Sequence, residues 1–176
     1  AGQHFEQVLA SKPGSVSSEK VWFAYEDNEW VLEDITLTVE DGETVAIVGP
    51  TGAGKTSLIN LITRFYDPTE GSVLINGKDI RTLPIEVLRS KLALVTQEPF
   101  LFTDTVKKNI WREKADLPAE EISRVLAASN CANFIERLPS GIDTVLSGGG
   151  ASLSSGERQL ISIARAFAKN PELIIL

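Results

Sequence analysis

An apolar run, Thr44-Val45-Ala46-Ile47-Val48, opens directly onto Gly49-Pro50-Thr51-Gly52-Ala53-Gly54-Lys55-Thr56, and the apolar residues that follow are spaced for a helix. A strand that passes into a helix through a glycine-rich turn implies an α/β arrangement, because the helix must return over the sheet that holds the strand. The turn also carries chemistry. Backbone N–H groups can converge on one anion only where glycine leaves the approach open or lets φ turn positive, and Gly49, Gly52 and Gly54 meet that need. Pro50, Thr51 and Ala53 complete the loop. Lys55 stands where its ammonium reaches β- and γ-phosphates, Thr56 offers a hydroxyl to Mg2+, and the helix points the positive end of its dipole at the same place. Ser57 is grouped with the loop, although its offset reads better as helix filler. A merely structural turn has no reason to hold Lys and Thr at these two positions, so the stretch implies a nucleoside triphosphate bound with Mg2+.

Composition removes several alternatives. The net charge of −7 argues against a nucleic-acid surface, which needs clustered Lys and Arg, so the polyanionic partner is a nucleotide. A single cysteine, Cys131, excludes an internal disulfide, and a single histidine, His4, excludes a metal centre built on several imidazoles. No apolar run approaches the roughly 20 residues that span a bilayer, and no signal segment opens the chain, which reads as soluble and cytoplasmic in character. With 176 residues, 43% of them hydrophobic, the chain can bury one core of ordinary size with a lobe attached.

Along the chain, residues 1–20 read as a linker: Phe5, Val8 and Leu9 are spaced like the end of a helix, and Ser, Gly and Pro follow from Ser11 to Ser18. Strands are expected over 21–25, 35–39, 44–48, 72–75 and 92–95, with tight turns at Asp41-Gly42 and Asn76-Gly77. The helix after Gly54 presents Leu58, Leu61, Ile62 and Phe65 on one face and ends at Asp67-Pro68. From about residue 99 to 167 the pattern is mainly helical, with helices over 105–111, 118–129 (Pro118 at its first position), 132–138 and 155–168. Leu173-Ile174-Ile175-Leu176 is an unbroken apolar run, as in a parallel strand buried on both faces. The expected fold is α/β: a phosphate-loop core with a mostly parallel sheet, an N-terminal antiparallel β subdomain and an inserted helical lobe.

A second motif, Leu153-Ser154-Ser155-Gly156-Glu157-Arg158-Gln159-Leu160, opens the last predicted helix behind Gly148-Gly149-Gly150. Alone it reads as a capping box, in which the Ser154 hydroxyl and the Glu157 carboxylate satisfy N–H groups at the helix start. With the phosphate loop upstream, it resembles the signature of the ATP-binding-cassette (ABC) family, in which this helix start points at the γ-phosphate of ATP bound to a partner subunit. Other stretches carry the same resemblance and point to the exporter-type branch: Arg64-Phe65-Tyr66-Asp67-Pro68, Asn76-Gly77-Lys78-Asp79-Ile80, and Val95-Thr96-Gln97-Glu98-Pro99 followed by Phe100-Leu101-Phe102 and Asn109-Ile110. The resemblance implies that Tyr25 stacks on adenine and that Gln97 reaches Mg2+ and the attacking water. Before it is counted, Tyr25 is equally a core aromatic and Gln97 a solvated loop residue.

The resemblance covers essentially the whole chain. It implies a linker from a transmembrane domain upstream (1–20), a nucleotide-binding domain over 21–176 with its helical subdomain at about 99–167, and a second nucleotide-binding domain as partner. It further implies an ATPase coupled to transport on the cytoplasmic face of a membrane, Lys55 and Gln97 serving catalysis and Ser154, Gly156 and Glu157 serving the partner's ATP. There are departures. Ser155 replaces the first glycine of the signature and Glu157 its glutamine, which points to an asymmetric pair of subunits, and Ser147 to Gly150 replaces a segment that usually carries an acidic residue. In the family a strand like 173–176 is followed at once by an Asp and a Glu and later by a histidine, so the chain reads as a fragment. The competing readings are a soluble ABC ATPase of DNA repair or translation and a regulatory module that binds nucleotide without turnover.

Overall fold

Strand β1 (Val16–Ala24) buries Val16 and Ser18, exposes Glu19 and Lys20, and buries Val21 and Phe23. The interruption at Glu19 and Lys20 is a bulge: Lys20 has φ 47°, and the register shifts there against both neighbouring strands. The extra residue turns Val21 back to the core face. The bulge needs its counterpart: a Cβ on Gly71, which has φ 78°, would lie 2.3 Å from the Lys20 carbonyl oxygen and 2.4 Å from that of Glu19, so no other residue fits opposite.

The structure, a computed structural model, describes residues 14–26, 29–112 and 117–176 and divides into two compact units between Arg89 and Ser90. In the first unit follow β2 (Trp30–Val39), α1 (Lys55–Ile62), β3 (Glu70–Ile75), β4 (Lys78–Asp79) and α2 (Ile85–Lys91), the last reaching past the boundary. The four strands form one antiparallel sheet in the order β2-β1-β3-β4. Asn76 and Gly77 join β3 to β4 with φ of 52° and 71°, the paired positive values that a two-residue hairpin of this composition demands. Leu58, Leu61 and Ile62 of α1 are buried, as are Val21, Phe23, Leu32, Val73, Ile75 and Leu88.

In the second unit the order is β5 (Leu92–Leu94), β6 (Asp104–Thr105), α3 (Val106–Trp111), α4 (Ala119–Ala128), α5 (Ala132–Ile135), β7 (Val145–Leu146), α6 (Ser155–Ala168) and β8 (Leu173–Ile175). Strands β5 and β8 pair in parallel, Leu92 opposite Leu173 and Leu94 opposite Ile175, and β6 pairs with β7. The helices close on a core that includes Val106, Ile110, Val125, Phe134, Leu146 and Ile161. This is the expected helical lobe. Among the described residues no helix is long and apolar enough to cross a membrane.

Several expectations need correction. Residues 44–48 form no strand: Ile47 is 39% and Val48 84% exposed, and no ladder includes them. Apolar character makes a strand only where another strand pairs with it, and among the described residues no ladder reaches this segment. Strand β8 is only half-buried, because a single neighbouring strand covers one of its edges. Strand β1 starts at Val16, inside the stretch read as linker, whereas Phe5, Val8, Leu9 and His4 lie outside the described residues. Helix α1 stops at Ile62, before Phe65, which is 56% exposed. The Thr63 hydroxyl donates back to the Ile59 carbonyl at 2.8 Å, and Arg64 turns left-handed, φ 53°, so that its guanidinium reaches Asp67 and the carbonyls of Ile80 and Leu83. Pro118 caps α4 rather than standing in its first turn, α5 is shorter than expected, and α2 was not expected at all.

Candidate functional site

The glycine loop is exposed from Gly49 to Ala53 and ends at Gly54, the N-cap of α1. Gly54 is left-handed, φ 83°, and a Cβ there would lie 2.6 Å from a methyl of Leu32 and 3.0 Å from the Val31 carbonyl oxygen. Both conformation and space demand glycine. At Gly52, φ 85°, only the conformation does: a Cβ would meet nothing within 4 Å, so the room beside the loop is open to a ligand. The Ala53 N–H donates to Pro50 at 3.2 Å and closes the turn.

The electrostatics of this end favour an anion. No side chain caps α1 and no acidic residue lies in its first turn, so its leading N–H groups keep their capacity to donate. Lys55 folds its ammonium over the loop, donating to the carbonyls of Gly49 at 2.7 Å and Pro50 at 2.8 Å. Among the described residues no carboxylate pairs with it, and two neutral carbonyls leave its charge available. Thr56 is exposed beside it. Its hydroxyl is a hard oxygen donor of the kind Mg2+ accepts, and no cluster of three His, Cys, Asp or Glu among the described residues makes an all-protein cage. That donor set fits an ion that keeps several waters and arrives with a polyphosphate.

Just past β1, Tyr25 lies in the same unit and touches α1. Its ring packs edge-on against Phe23 and Tyr66, at centroid distances of 4.7 and 5.1 Å, and stays 48% exposed. Its hydroxyl lies 3.0 Å from that of Ser57 and accepts from the Asn60 side chain at 3.4 Å. Ser57, grouped with the loop from sequence, is buried and turned toward Tyr25. Asn60 had not been singled out, although its place one turn after Ser57 on α1 puts both side chains on one face.

In the second unit, Ser154 caps α6 and forms both halves of the capping box. Glu157 N–H donates to the Ser154 hydroxyl oxygen at 3.2 Å, and Ser154 N–H donates to the Glu157 carboxylate at 2.9 Å. These bonds from the Ser154 backbone and hydroxyl hold the Glu157 carboxyl below its ordinary range. Gly156 is exposed in the first turn with open space at its Cβ position. Replacing Ser154 with alanine is expected to cost about 1 kcal/mol in urea denaturation at neutral pH. Because the folded carboxyl titrates lower than the unfolded one, the share due to Glu157 is fully present above the unfolded value. It disappears as pH falls through the folded one. The penalty for the substitution therefore shrinks toward low pH.

Gln97 is exposed in the loop that follows β5. The structure ties this loop to α6 through the Gln159 side chain, which donates to the Thr96 carbonyl at 3.4 Å. Asn109, which the sequence placed in the family resemblance without a role, organises what comes next. Asn109, fully buried in α3, accepts from Phe102 N–H at 2.8 Å and donates to the carbonyls of Phe102 and Thr105, both at 3.0 Å. Arg165 of α6 donates to the Asn109 backbone carbonyl at 2.8 Å and to that of Phe100 at 3.1 Å. A signal was available: an amide between Val106 and Ile110 interrupts an apolar helix face that propensity would leave apolar.

Over residues 32–176 the chain matches the protein family described as ABC transporter. It is 48% identical over 168 residues to the ATP-dependent lipid A-core flippase of Desulfotalea psychrophila, covering 96% of this chain and 29% of that protein. It is 44% identical over 171 residues to the fatty acid ABC transporter ATP-binding/permease protein of Mycobacterium bovis, covering 97% of this chain and 27% of the relative. Among solved structures, a bacterial Atm1-family ABC exporter with ATP bound superposes with a TM-score of 0.85 at 39% identity, over 94% of this chain and 29% of the other. The chain thus spans less than a third of the length of these relatives.

Proposed function

The chain belongs to the ABC transporter family, and from that membership we propose that it is the ATP-binding domain of an exporter whose ATP hydrolysis drives solute across a membrane. The observation that carries this reading is the unpaired Lys55 ammonium held over a glycine loop beside an uncapped helix start.

In this reading ATP is the substrate. The backbone from Gly49 to Gly54 and the ammonium of Lys55 hold its phosphates, and Tyr25 takes the adenine. From the family resemblance, Thr56 and Gln97 are the side chains proposed to serve Mg2+, which when bound would neutralise phosphate charge. Gln97 also orients the water that attacks the γ-phosphorus in line. Lys55 offsets the charge that spreads over the phosphoryl oxygens, so positioning and electrostatics supply the acceleration.

The start of α6 would serve ATP held by a second nucleotide-binding domain, through Ser154, Gly156 and Glu157. Any phosphate arriving there competes with the Glu157 carboxylate for the Ser154 N–H and hydroxyl donors. This favours a pair of non-identical subunits with unequal sites. A transmembrane domain belongs to the same assembly, as the name of the ATP-binding/permease relative indicates for that protein. The proposed location is the cytoplasmic face of the cell membrane.

ATP turnover by the full protein in phospholipid vesicles tests the reading. Gln97→Ala is expected to lower kcat at least about tenfold while ATP affinity changes little. A variant with unchanged kcat removes Gln97 from the chemistry, and a wild-type protein without turnover removes hydrolysis.

A further inference from the structure

Ser57 sits in the first turn of α1, next to Thr56, where a hydroxyl is well placed to meet a phosphate. Its side chain is instead buried and hydrogen-bonded to the Tyr25 hydroxyl at 3.0 Å. Tyr25 itself is held on three sides: by Ser57 and Asn60 at its hydroxyl, and by the edge-on rings of Phe23 and Tyr66. Tyr25 as a whole stays 48% exposed, in the same unit as the phosphate loop.

A phenol anchored only by packing can swing about its Cα–Cβ bond. One whose hydroxyl is tied to a helix cannot, because the swing would break the bond at its far end. We infer that Ser57 is a positioning residue for base recognition. Its hydroxyl fixes the Tyr25 ring before nucleotide arrives and ties the base platform to the helix that carries the phosphate loop. The inference rests on the nucleotide-binding reading and deepens it, since it assigns Ser57 to the base end of the ligand rather than to the phosphates. Preorganising a side chain raises affinity by removing the ordering that binding would otherwise require, and only for the part of the ligand that the side chain touches.

The test compares two probes, Mg-ATP and inorganic tripolyphosphate, whose dissociation constants are measured by calorimetry on the wild-type protein and on Ser57→Ala, Tyr25→Phe, the double variant and Ser57→Thr. Ser57→Ala and Tyr25→Phe are each expected to weaken ATP about three- to tenfold and to leave tripolyphosphate within about twofold. The double variant should be no weaker than either single one, because both remove the same bond. Ser57→Thr, which keeps the hydroxyl, should restore ATP affinity. Equal losses for ATP and tripolyphosphate in Ser57→Ala would overturn the inference by showing a direct phosphate contact. So would Tyr25→Phe with wild-type affinity for ATP. A wild-type protein that binds neither probe would instead remove the phosphate-site reading, and this inference with it.

Discussion

Lys55→Ala should reduce affinity for Mg-ATP by at least about 100-fold in calorimetry, with no measurable change in stability. The size follows from what the ammonium touches. Among the described residues it donates to the carbonyls of Gly49 and Pro50 alone, which can turn to water when it is removed, so the fold loses about 0.5 kcal/mol at most. Toward a triphosphate it would make charge-assisted bonds of roughly 1.5–3 kcal/mol each in a loop that carries no other side-chain cation, and two such bonds exceed a hundredfold. Lys55→Arg separates charge from shape. A guanidinium keeps the charge but presents a planar fork that does not fit over a tight loop as a compact ammonium does, so it should recover only part of the affinity. Lys55→Ala with wild-type affinity would show that the nucleotide is held elsewhere on the protein.

The second large effect concerns stability. Asn109→Ala is expected to destabilise the protein by about 2–4 kcal/mol in urea denaturation. The Asn109 amide has no exposure and satisfies the N–H and carbonyl of Phe102 and the carbonyl of Thr105, while accepting from the Arg165 guanidinium at 3.3 Å. Alanine removes the Asn109 partner of the Phe102 N–H and of the Thr105 carbonyl, while the Phe102 carbonyl keeps the bond from Asp104 N–H at 2.9 Å. It also weakens the hold on Arg165, whose charged form is already disfavoured by burial and by Arg112 nearby. Asn109→Asp keeps an acceptor for Phe102 N–H and places a carboxylate beside Arg165, but loses the donors. Its cost should therefore fall between those of wild type and alanine. Because the same network ends on the Phe100 carbonyl, a few residues past Gln97, Asn109→Ala should also lower ATP turnover in the fraction that stays folded. A stability change under about 0.5 kcal/mol would show that water replaces the amide.

Some of this molecule was plain in the order of its residues. The Asn76-Gly77 hairpin follows from two residues that tolerate positive φ, and the cap of α6 follows from Ser154 and Glu157 three positions apart, since both depend on atoms close in sequence. The phosphate loop is legible for the same reason: glycine spacing, Lys55 and Thr56 are all local. The strand over 44–48 was misread because hydrophobicity reports a wish for burial, while a strand needs a partner that the segment itself does not contain. The end of α1 was misread because Arg64 is drawn away by carbonyls at Ile80 and Leu83, far along the chain.

By itself, then, the sequence determined the family, the chemistry of the loop from Gly49 to Thr56 and the kind of fold that carries it, because each is written in short-range spacing and in which residues can adopt positive φ. Only the tertiary structure decided that Gly71 must face the bulge at Lys20, that Asn109 and Arg165 hold the loop after Gln97, and that Ser57 turns toward Tyr25. Those outcomes depend on which distant polar groups are buried side by side. The physical reason is that a buried hydrogen bond is worth making only with the partner the fold brings within about 3 Å, and no local pattern names that partner.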